Sequence, residues 1–123
     1  KNALNMAKEL INHQLVNDVY HPALPHTKNH DIWKRDFTGS SGLFAFSLKK
    51  RFSNNQIEKF FKKLKIFKLG YSWGGFESLI TFPPLDNRAF KNKNTGTIIR
   101  IYCGLEDTKD QIKDIVNALK VLN

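Results

Sequence analysis

The chain has 123 residues, of which 41% are hydrophobic and 25% are charged. This size and composition are typical of one soluble globular domain with a single core. The sequence shows no signal peptide and no apolar run near the roughly 18 residues that a membrane-spanning helix requires. Its one cysteine, Cys103, excludes an internal disulfide. We therefore expect a cytoplasmic protein without a membrane partner and, because the first residue is Lys1 rather than methionine, a piece of a longer chain.

The net charge of +9 requires a nucleic-acid-binding hypothesis. The densest basic run lies between Lys59 and Lys68, and Phe60 and Phe61 interrupt it. With Ile57 and Leu64, these two phenylalanines follow helical spacing, which leaves the lysines on the opposite face. That pattern is typical of a packed helix with a solvated outer face rather than of aromatic side chains spaced for base stacking. No nucleic-acid partner is expected, and an autonomous basic binding module without catalysis remains an alternative.

The first half of the chain alternates helical and extended patterns. Two prolines bias the residues before them toward extended conformations, so no helix is expected between Tyr20 and Leu24. Asp31 is expected to cap a small helix whose Ile32 and Trp33 turn inward. The predicted elements are a helix over residues 3–17 with the apolar stripe Leu4, Ala7, Ile11 and Leu15, an extended piece from Val19, a helix over residues 31–36, and an interior strand over residues 43–48.

In the second half, two capping boxes precede helices. Ser53 with Gln56 opens the first, and Thr108 with Gln111 opens the second. Residues 86–95 have the composition of a polar, basic loop, which we expect to be the most mobile part of the chain. The predicted elements are a helix over residues 54–65, strands over residues 66–73, 79–82 and 97–103, and a helix from residue 108 with the stripe Ile112, Ile115, Val116, Leu119 and Leu122.

This order of elements predicts an α/β fold of α+β character in one domain over residues 1–123. We expect a mixed or mostly antiparallel sheet of about four strands, covered by helices on one face. The histidines His21, His26 and His30 have no cysteine or carboxylate at ligand spacing, so no metal site is expected. Cys103 is expected to be a buried thiol rather than a nucleophile.

Four motifs carry a family resemblance that extends over nearly the whole chain. They are His21-Pro22-Ala23-Leu24-Pro25, Trp33 to Phe44, Tyr71-Ser72-Trp73-Gly74-Gly75 before Glu77-Ser78-Leu79, and Ile98-Ile99-Arg100-Ile101 leading into Gly104-Leu105-Glu106-Asp107. In these motifs the chain resembles the pyridoxal-phosphate enzymes of cysteine and methionine metabolism. Most of those relatives have leucine where this chain has Trp73, and the tryptophan resembles the cystathionine β-lyase branch.

The resemblance implies the small C-terminal domain of a fold-type-I enzyme. The parent enzyme would hold pyridoxal 5'-phosphate on a lysine upstream, in a large domain, and would form a homo-oligomer, a tetramer. It would cleave L-cystathionine to homocysteine, pyruvate and ammonia in methionine biosynthesis. No catalytic or cofactor-binding residue is assigned to this chain, which alone should be inactive. The alternatives are cystathionine γ-synthase, cystathionine γ-lyase or methionine γ-lyase, the basic binding module, and a core-packing fragment without a ligand.

Arg100 is the most informative single residue, because it interrupts an apolar strand and cannot lose its charge. Its partner is either a carboxylate of the domain itself or a ligand carboxylate held by two parallel hydrogen bonds. The resemblance implies the second, the α-carboxylate of the substrate, with Arg100 and Ser72 converging on it from adjoining strands. Trp73 is either a core residue or a pocket wall, and its place beside Ser72 favours the wall. Tyr71 should point to the same side as Trp73 if the strand is regular. The predicted substrate-binding set is Arg100, Ser72, Trp73 and Tyr71, while Glu77 is expected to pair locally or to cap.

Overall fold

The computed structural model describes residues 1–83 and 96–123, so the loop predicted over residues 86–95 lies outside the described part. Its elements in chain order are α1 (Asn2–Ile11), β1 (Val16–Tyr20), α2 (His30–Asp36), β2 (Leu43–Leu48), α3 (Asn54–Lys63), β3 (Lys68–Leu69), β4 (Leu79–Thr81), β5 (Ile98–Tyr102) and α4 (Thr108–Leu119), followed by a 3₁₀ turn (Lys120–Leu122). Within the described ranges, no helix has the length and apolar character needed to cross a membrane.

The five strands form one sheet in the order β1-β2-β5-β4-β3. Neighbouring strands are antiparallel except β3 and β4, which run parallel. Strand β5 is paired with β2 on one edge and with β4 on the other, and β2 is an interior strand as predicted. The predicted mixed sheet is confirmed, with five strands rather than about four because the two-residue β3 extends it beyond β4.

The core lies between one face of the sheet and the helices α1, α3 and α4, whose buried side chains join those of the strands in one cluster. Along β5, Ile99 and Ile101 are fully buried, whereas Arg100 and Tyr102 are half-buried and point to the other face. Phe46 of β2 pairs with Ile99 and is also fully buried. Burying each such apolar side chain stabilises the fold by about 1.5–3 kcal/mol.

Helix α1 ends earlier than the sequence predicts. The helix expected over residues 3–17 stops at Ile11, and Val16 begins β1. Val16 pairs with Leu48 of β2, which satisfies the backbone of this stretch and overrides its helical periodicity. The buried stripe is Ala3, Met6, Ala7 and Leu10, while Leu4, Ile11 and Leu15 are only partly buried against the core.

Helix α2 begins at His30 and buries none of its residues. Asn29, in a left-handed conformation with φ 65°, precedes it, and Asp31 lies in its first turn instead of capping it. Ile32 is 49% exposed and Trp33 is half-buried, so the prediction that both turn inward is wrong. No residue of α2 belongs to the core cluster; the Trp33 ring lies against His30 instead, with ring centroids 5.5 Å apart, and its indole N–H donates to the Gly39 carbonyl oxygen.

Helix α3 forms as predicted, although it ends at Lys63. Gln56 donates its backbone N–H to the Ser53 hydroxyl, and Ser53 donates its backbone N–H to the Gln56 side chain, which completes the capping box. Ile57 and Phe60 are buried while the lysines of this helix are exposed. The predicted packed helix with a solvated lysine face is confirmed.

Helix α4 is capped one residue earlier than the second capping box predicts. The Asp107 carboxylate accepts the backbone N–H groups of Lys109 and Asp110. Thr108, the predicted cap, donates its hydroxyl to the Asn2 side chain at 2.6 Å instead. A carboxylate is also the better partner for the positive end of the helix dipole.

One buried carboxylate holds the connection between α3 and β3. Asp114 of α4 accepts the backbone N–H groups of Lys65, Ile66 and Phe67 at 2.8, 2.8 and 3.1 Å. Without this carboxylate, three N–H groups in a partly buried turn would lose the acceptor that they have here. Asp114 therefore determines where β3 begins, and with it the approach to the glycine-rich segment that follows.

A polar cluster anchors the far end of that segment. Ser78 donates its backbone N–H and its hydroxyl to the two carboxylate oxygens of Glu106, at 2.8 and 2.6 Å. The Ser78 hydroxyl also accepts from the Gln111 amide at 3.0 Å and from the Gly104 backbone N–H at 2.9 Å. A Cβ atom at Gly104 would lie 2.3 Å from the Phe76 carbonyl oxygen, so only glycine permits this approach. The cluster ties the chain after the glycine pair to the start of α4.

We expect Asp114→Ala to lower the free energy of unfolding by about 2–4 kcal/mol, because it leaves three backbone donors without an acceptor. Urea denaturation of the chain measures this change. Asp110→Ala is the matched control, since it removes an exposed carboxylate from the same helix, and it should cost less than about 1 kcal/mol. Equal losses for both variants would contradict the anchoring role.

The Glu106 cluster predicts a specific pH dependence. Burial alone raises the pKa of this carboxyl, but its hydrogen bonds from Ser78 and Gln111 outweigh that effect and hold the pKa below its ordinary value of 4.5. A carboxyl with a lowered pKa contributes stability that is present above its unfolded pKa and is lost as the pH falls through its folded pKa.

Glu106→Gln should therefore be less stable than the parent chain at neutral pH, and the gap should narrow as the pH falls below 4.5. Urea denaturation at a series of pH values measures the gap. Glu9→Gln, which removes an exposed carboxylate from α1, is the control and should shift stability by less than about 0.5 kcal/mol. A gap for Glu106→Gln that stays constant with pH would be evidence against the cluster.

Candidate functional site

The candidate site lies on the sheet face opposite the helices, around Arg100. Because opposite residues of paired strands share a face, Ala45 of β2 and Thr81 of β4 flank Arg100 on this side. Tyr102, two residues further along β5, points the same way. The central strand thus presents a guanidinium and a phenol on the face that the helices leave uncovered.

Arg100 holds the chain that crosses this face after β3. Its Nη2 donates to the carbonyl oxygen of Tyr71 at 2.6 Å. Among residues 1–83 and 96–123, no carboxylate lies within ion-pair distance of the guanidinium. A guanidinium has five N–H donors, and among the described residues one of them is used, in the bond to Tyr71. The sequence left two possible partners for Arg100, a carboxylate of the domain itself and a ligand carboxylate. The described residues do not supply the first of these.

Tyr102 holds the same crossing segment further along. Its hydroxyl donates to the carbonyl oxygen of Gly75 at 2.9 Å. The two side chains of β5 therefore fix both ends of residues 71–75. Tyr102 was not among the predicted site residues, although its spacing of two residues from Arg100 in a predicted strand indicates that both share a face.

The predicted strand over residues 66–73 is much shorter in the structure. Pairing stops at Leu69, so Tyr71 to Trp73 leave the sheet, and the strand regularity that would place Tyr71 beside Trp73 is absent. Strands β3 and β5 are also not adjoining, because β4 lies between them. Ser72 directly follows Tyr71, whose carbonyl oxygen Arg100 binds, and the convergence of Arg100 and Ser72 on one ligand stays a prediction.

The segment exposes its side chains to solvent. Ser72 is exposed and makes no hydrogen bond through its hydroxyl within the described ranges. Trp73 is 62% exposed and Tyr71 is 73% exposed, so the core interpretation of Trp73 is wrong for this chain. Phe76 is 71% exposed as well. Several large aromatic side chains exposed within one segment are typical of a binding or contact surface rather than of a surface that faces only solvent.

Glu77 and the histidines have local partners. Glu77 forms an ion pair with Lys68, as predicted for a locally paired residue. His26 contacts the Asp18 carboxylate at 2.8 Å, and His30 contacts the Pro22 carbonyl oxygen at 2.7 Å. His21 is fully buried, and burial lowers its pKa.

Cys103 is buried as predicted, and that burial, together with the nearby charge of Glu106, raises the pKa of its thiol to about 12. At neutral pH it is therefore protonated and a poor nucleophile.

The environment of the lysines shows whether one of them could bind an aldehyde cofactor covalently. Every lysine among residues 1–83 and 96–123 is exposed to solvent. A lysine that forms a Schiff base is typically desolvated so that its amine loses its charge. The described residues therefore do not fit a covalent cofactor site.

Comparisons with a family model and with curated proteins point to the same enzyme family. Residues 1–120 match the family model described as Cys/Met metabolism PLP-dependent enzyme. The chain is 44% identical over 120 residues to cystathionine beta-lyase MetC of Escherichia coli, which covers 94% of this chain and 30% of that protein. It is 40% identical over 122 residues to the L-alanine/L-glutamate racemase of Wolbachia pipientis, which covers 95% of this chain and 30% of that protein.

A solved structure agrees with the fold. The crystal structure of cystathionine gamma synthase from Xanthomonas oryzae, in complex with aminoacrylate and cysteine, superposes with a TM-score of 0.82 at 28% identity. The match covers 98% of this chain and 32% of the synthase. The chain thus spans about a third of the length of the proteins that it matches. With a family model that matches residues 1–120, the chain belongs to the PLP-dependent enzymes of Cys/Met metabolism.

Proposed function

We propose that this chain is the substrate-carboxylate-binding domain of a pyridoxal-phosphate-dependent carbon–sulfur β-lyase that acts on L-cystathionine. The observation that carries the proposal is Arg100, a guanidinium on the helix-free sheet face with no carboxylate partner among the described residues. Its single described hydrogen bond goes to the segment that presents Ser72 and Trp73.

The four predicted substrate-binding residues have separate proposed roles. Arg100 binds the α-carboxylate of the amino acid through two parallel N–H···O bonds, which fix its orientation as well as its position. The Ser72 hydroxyl adds a donor to the same carboxylate, and Tyr71 and Trp73 form the wall of the pocket. Because strand β5 and the segment of residues 71–75 carry these groups, the domain orients the substrate.

The reacting groups belong to the rest of the proposed enzyme. A large domain of the same chain would hold pyridoxal phosphate on its own lysine, and the cofactor would supply the electron sink for breaking the Cβ–S bond. The products would be homocysteine, pyruvate and ammonia, in cytoplasmic methionine biosynthesis. We further propose that the enzyme is a tetramer and that the isolated chain is inactive.

Two observations favour the β-lyase over other reactions of the family. The identity to the Escherichia coli β-lyase is 44%, and Trp73 follows Ser72 as in the β-lyase branch. A second candidate is an amino-acid racemase, supported by the 40% identity to the Wolbachia protein. A γ-synthase or γ-lyase is a third, supported by the Xanthomonas structure. Binding an amino-acid carboxylate is common to all three, so the Arg100 role does not depend on the choice.

Product analysis of the full-length, cofactor-loaded enzyme separates the candidates. With L-cystathionine, β-elimination gives pyruvate and homocysteine in equal amounts, whereas γ-elimination gives 2-oxobutyrate and cysteine. A racemase converts L-alanine to D-alanine without release of ammonia. We expect pyruvate with homocysteine as the main products, and 2-oxobutyrate or D-alanine as the main product would refute the β-lyase proposal.

In the same full-length enzyme, Arg100→Ala should lower kcat/KM about 10²- to 10³-fold, because a charged hydrogen-bonded pair is lost and the substrate carboxylate is left desolvated. Arg100→Lys should recover only part, since a point charge cannot reproduce the planar fork. Steady-state kinetics and the urea midpoint are measured together.

Arg51→Ala is the control, because it removes one exposed arginine outside the site; its kcat/KM should stay within about twofold of the parent value. If Arg100 instead served an internal ion pair, truncation would lower stability by about 3–5 kcal/mol. A large stability loss with unchanged kinetics of the folded fraction would eliminate the substrate role.

A further inference from the structure

Tyr102 is placed to act on the candidate site through the backbone. It lies directly opposite Leu43 of β2 and Leu79 of β4, so a leucine side chain flanks it on each side of the same sheet face. The tyrosine is only half-buried, and its hydroxyl reaches out to the Gly75 carbonyl oxygen at 2.9 Å.

The ring is also confined from the β2 side by Gly42. A Cβ atom at Gly42 would lie 2.7 Å from Cε2 of the Tyr102 ring, a distance that real side chains do not tolerate. The backbone N–H of Cys103 is bonded to the Gly42 carbonyl oxygen at 2.9 Å, which keeps this approach close. The glycine thus leaves room for the ring, and the packing around it directs the hydroxyl at Gly75.

Residues 71–75, which we call the arch, run from the carbonyl oxygen that Arg100 binds to the carbonyl oxygen that Tyr102 binds. Gly74 bends the arch, with φ at +88°, a conformation that favours glycine. Ser72 lies on this arch between the two anchors.

Other contacts act only beyond the arch. Leu105 donates its backbone N–H to the Phe76 carbonyl oxygen at 2.9 Å, and the Glu106 carboxylate holds Ser78. Both contacts follow Gly75 in the chain. Within the described residues, the Tyr102 hydroxyl is therefore the side-chain group that fixes the carboxyl-terminal end of the arch itself.

We propose that Tyr102 is a positioning residue for amino-acid binding: by holding the Gly75 carbonyl, its hydroxyl sets the height of the arch and hence the position of Ser72 relative to Arg100. The inference rests on the proposed function only in taking the arch as the substrate-binding segment. Tyr102 itself contacts backbone and is not a catalytic residue.

The test uses Tyr102→Phe in the full-length, cofactor-loaded enzyme, since this change removes one hydroxyl and keeps the ring. Tyr20→Phe is the matched control, because Tyr20 lies on the same sheet face and its hydroxyl is bonded to Ser47 at 3.1 Å rather than to the arch. Hydrogen–deuterium exchange of the peptide covering residues 71–79, without substrate, reports the arch directly. Steady-state kinetics with L-cystathionine reports its consequence for binding.

For Tyr102→Phe we expect amide exchange in residues 71–76 to accelerate about threefold or more, and KM to rise about three- to tenfold with kcat within about twofold, as for the loss of one hydrogen bond. Tyr20→Phe should change neither readout. Unchanged exchange in Tyr102→Phe, equal acceleration in both variants, or faster exchange without any change in KM would each overturn the proposal.

The two proposals can fail separately. If the parent enzyme does not cleave L-cystathionine, the β-lyase proposal fails, while the exchange measurement still tests the arch and the KM test moves to the amino acid that the enzyme does accept. If the parent enzyme cleaves L-cystathionine but Tyr102→Phe behaves as Tyr20→Phe, only the positioning role of Tyr102 is refuted.

Discussion

Strand β5 is hydrogen-bonded on both edges, to β2 and to β4, and its side chains must therefore alternate between the two faces of the sheet. Ile99 and Ile101 occupy one face and are fully buried under the helices. Arg100 and Tyr102 occupy the other. Shifting the register by one residue would place a guanidinium in the apolar core, at a cost that no described carboxylate offsets. The core thus holds the candidate site in place.

Separate polar contacts hold the chain before and after the segment that crosses this strand. Asp114 fixes the turn that leads into β3, and Glu106 fixes Ser78 after the glycine pair. In both places a carboxylate accepts backbone N–H groups, and a hydrogen bond to a charged acceptor is stronger than one to a neutral acceptor. Between these two anchor points, the chain crosses the sheet face and is held there by Arg100 and Tyr102. An exposed segment is in this way held to the sheet at two points.

That arrangement suits a domain that binds an amino acid together with another part of its enzyme. The aromatic side chains of Tyr71, Trp73 and Phe76 are largely exposed, and the chain covers about a third of its relatives' length. In the proposed function, these exposed aromatic groups and the guanidinium would form one side of a pocket that a second domain closes. Membership of the pyridoxal-phosphate family and exposed lysines throughout the described residues are compatible with this division between domains.

The sequence alone determined the features that depend on local periodicity and on motifs. The two-residue alternation of β5, the Ser53 capping box, the apolar face of α3 and the family all followed from residues near one another in the chain. Tertiary contacts decided the rest. Val16 left the predicted helix because it pairs with Leu48, and pairing of β3 ended at Leu69, before Ser72. Tyr102 meets Gly75, and Glu106 meets Ser78, across 27 and 28 residues of sequence. No local pattern encodes such contacts, because they form only once the sheet has brought distant segments together.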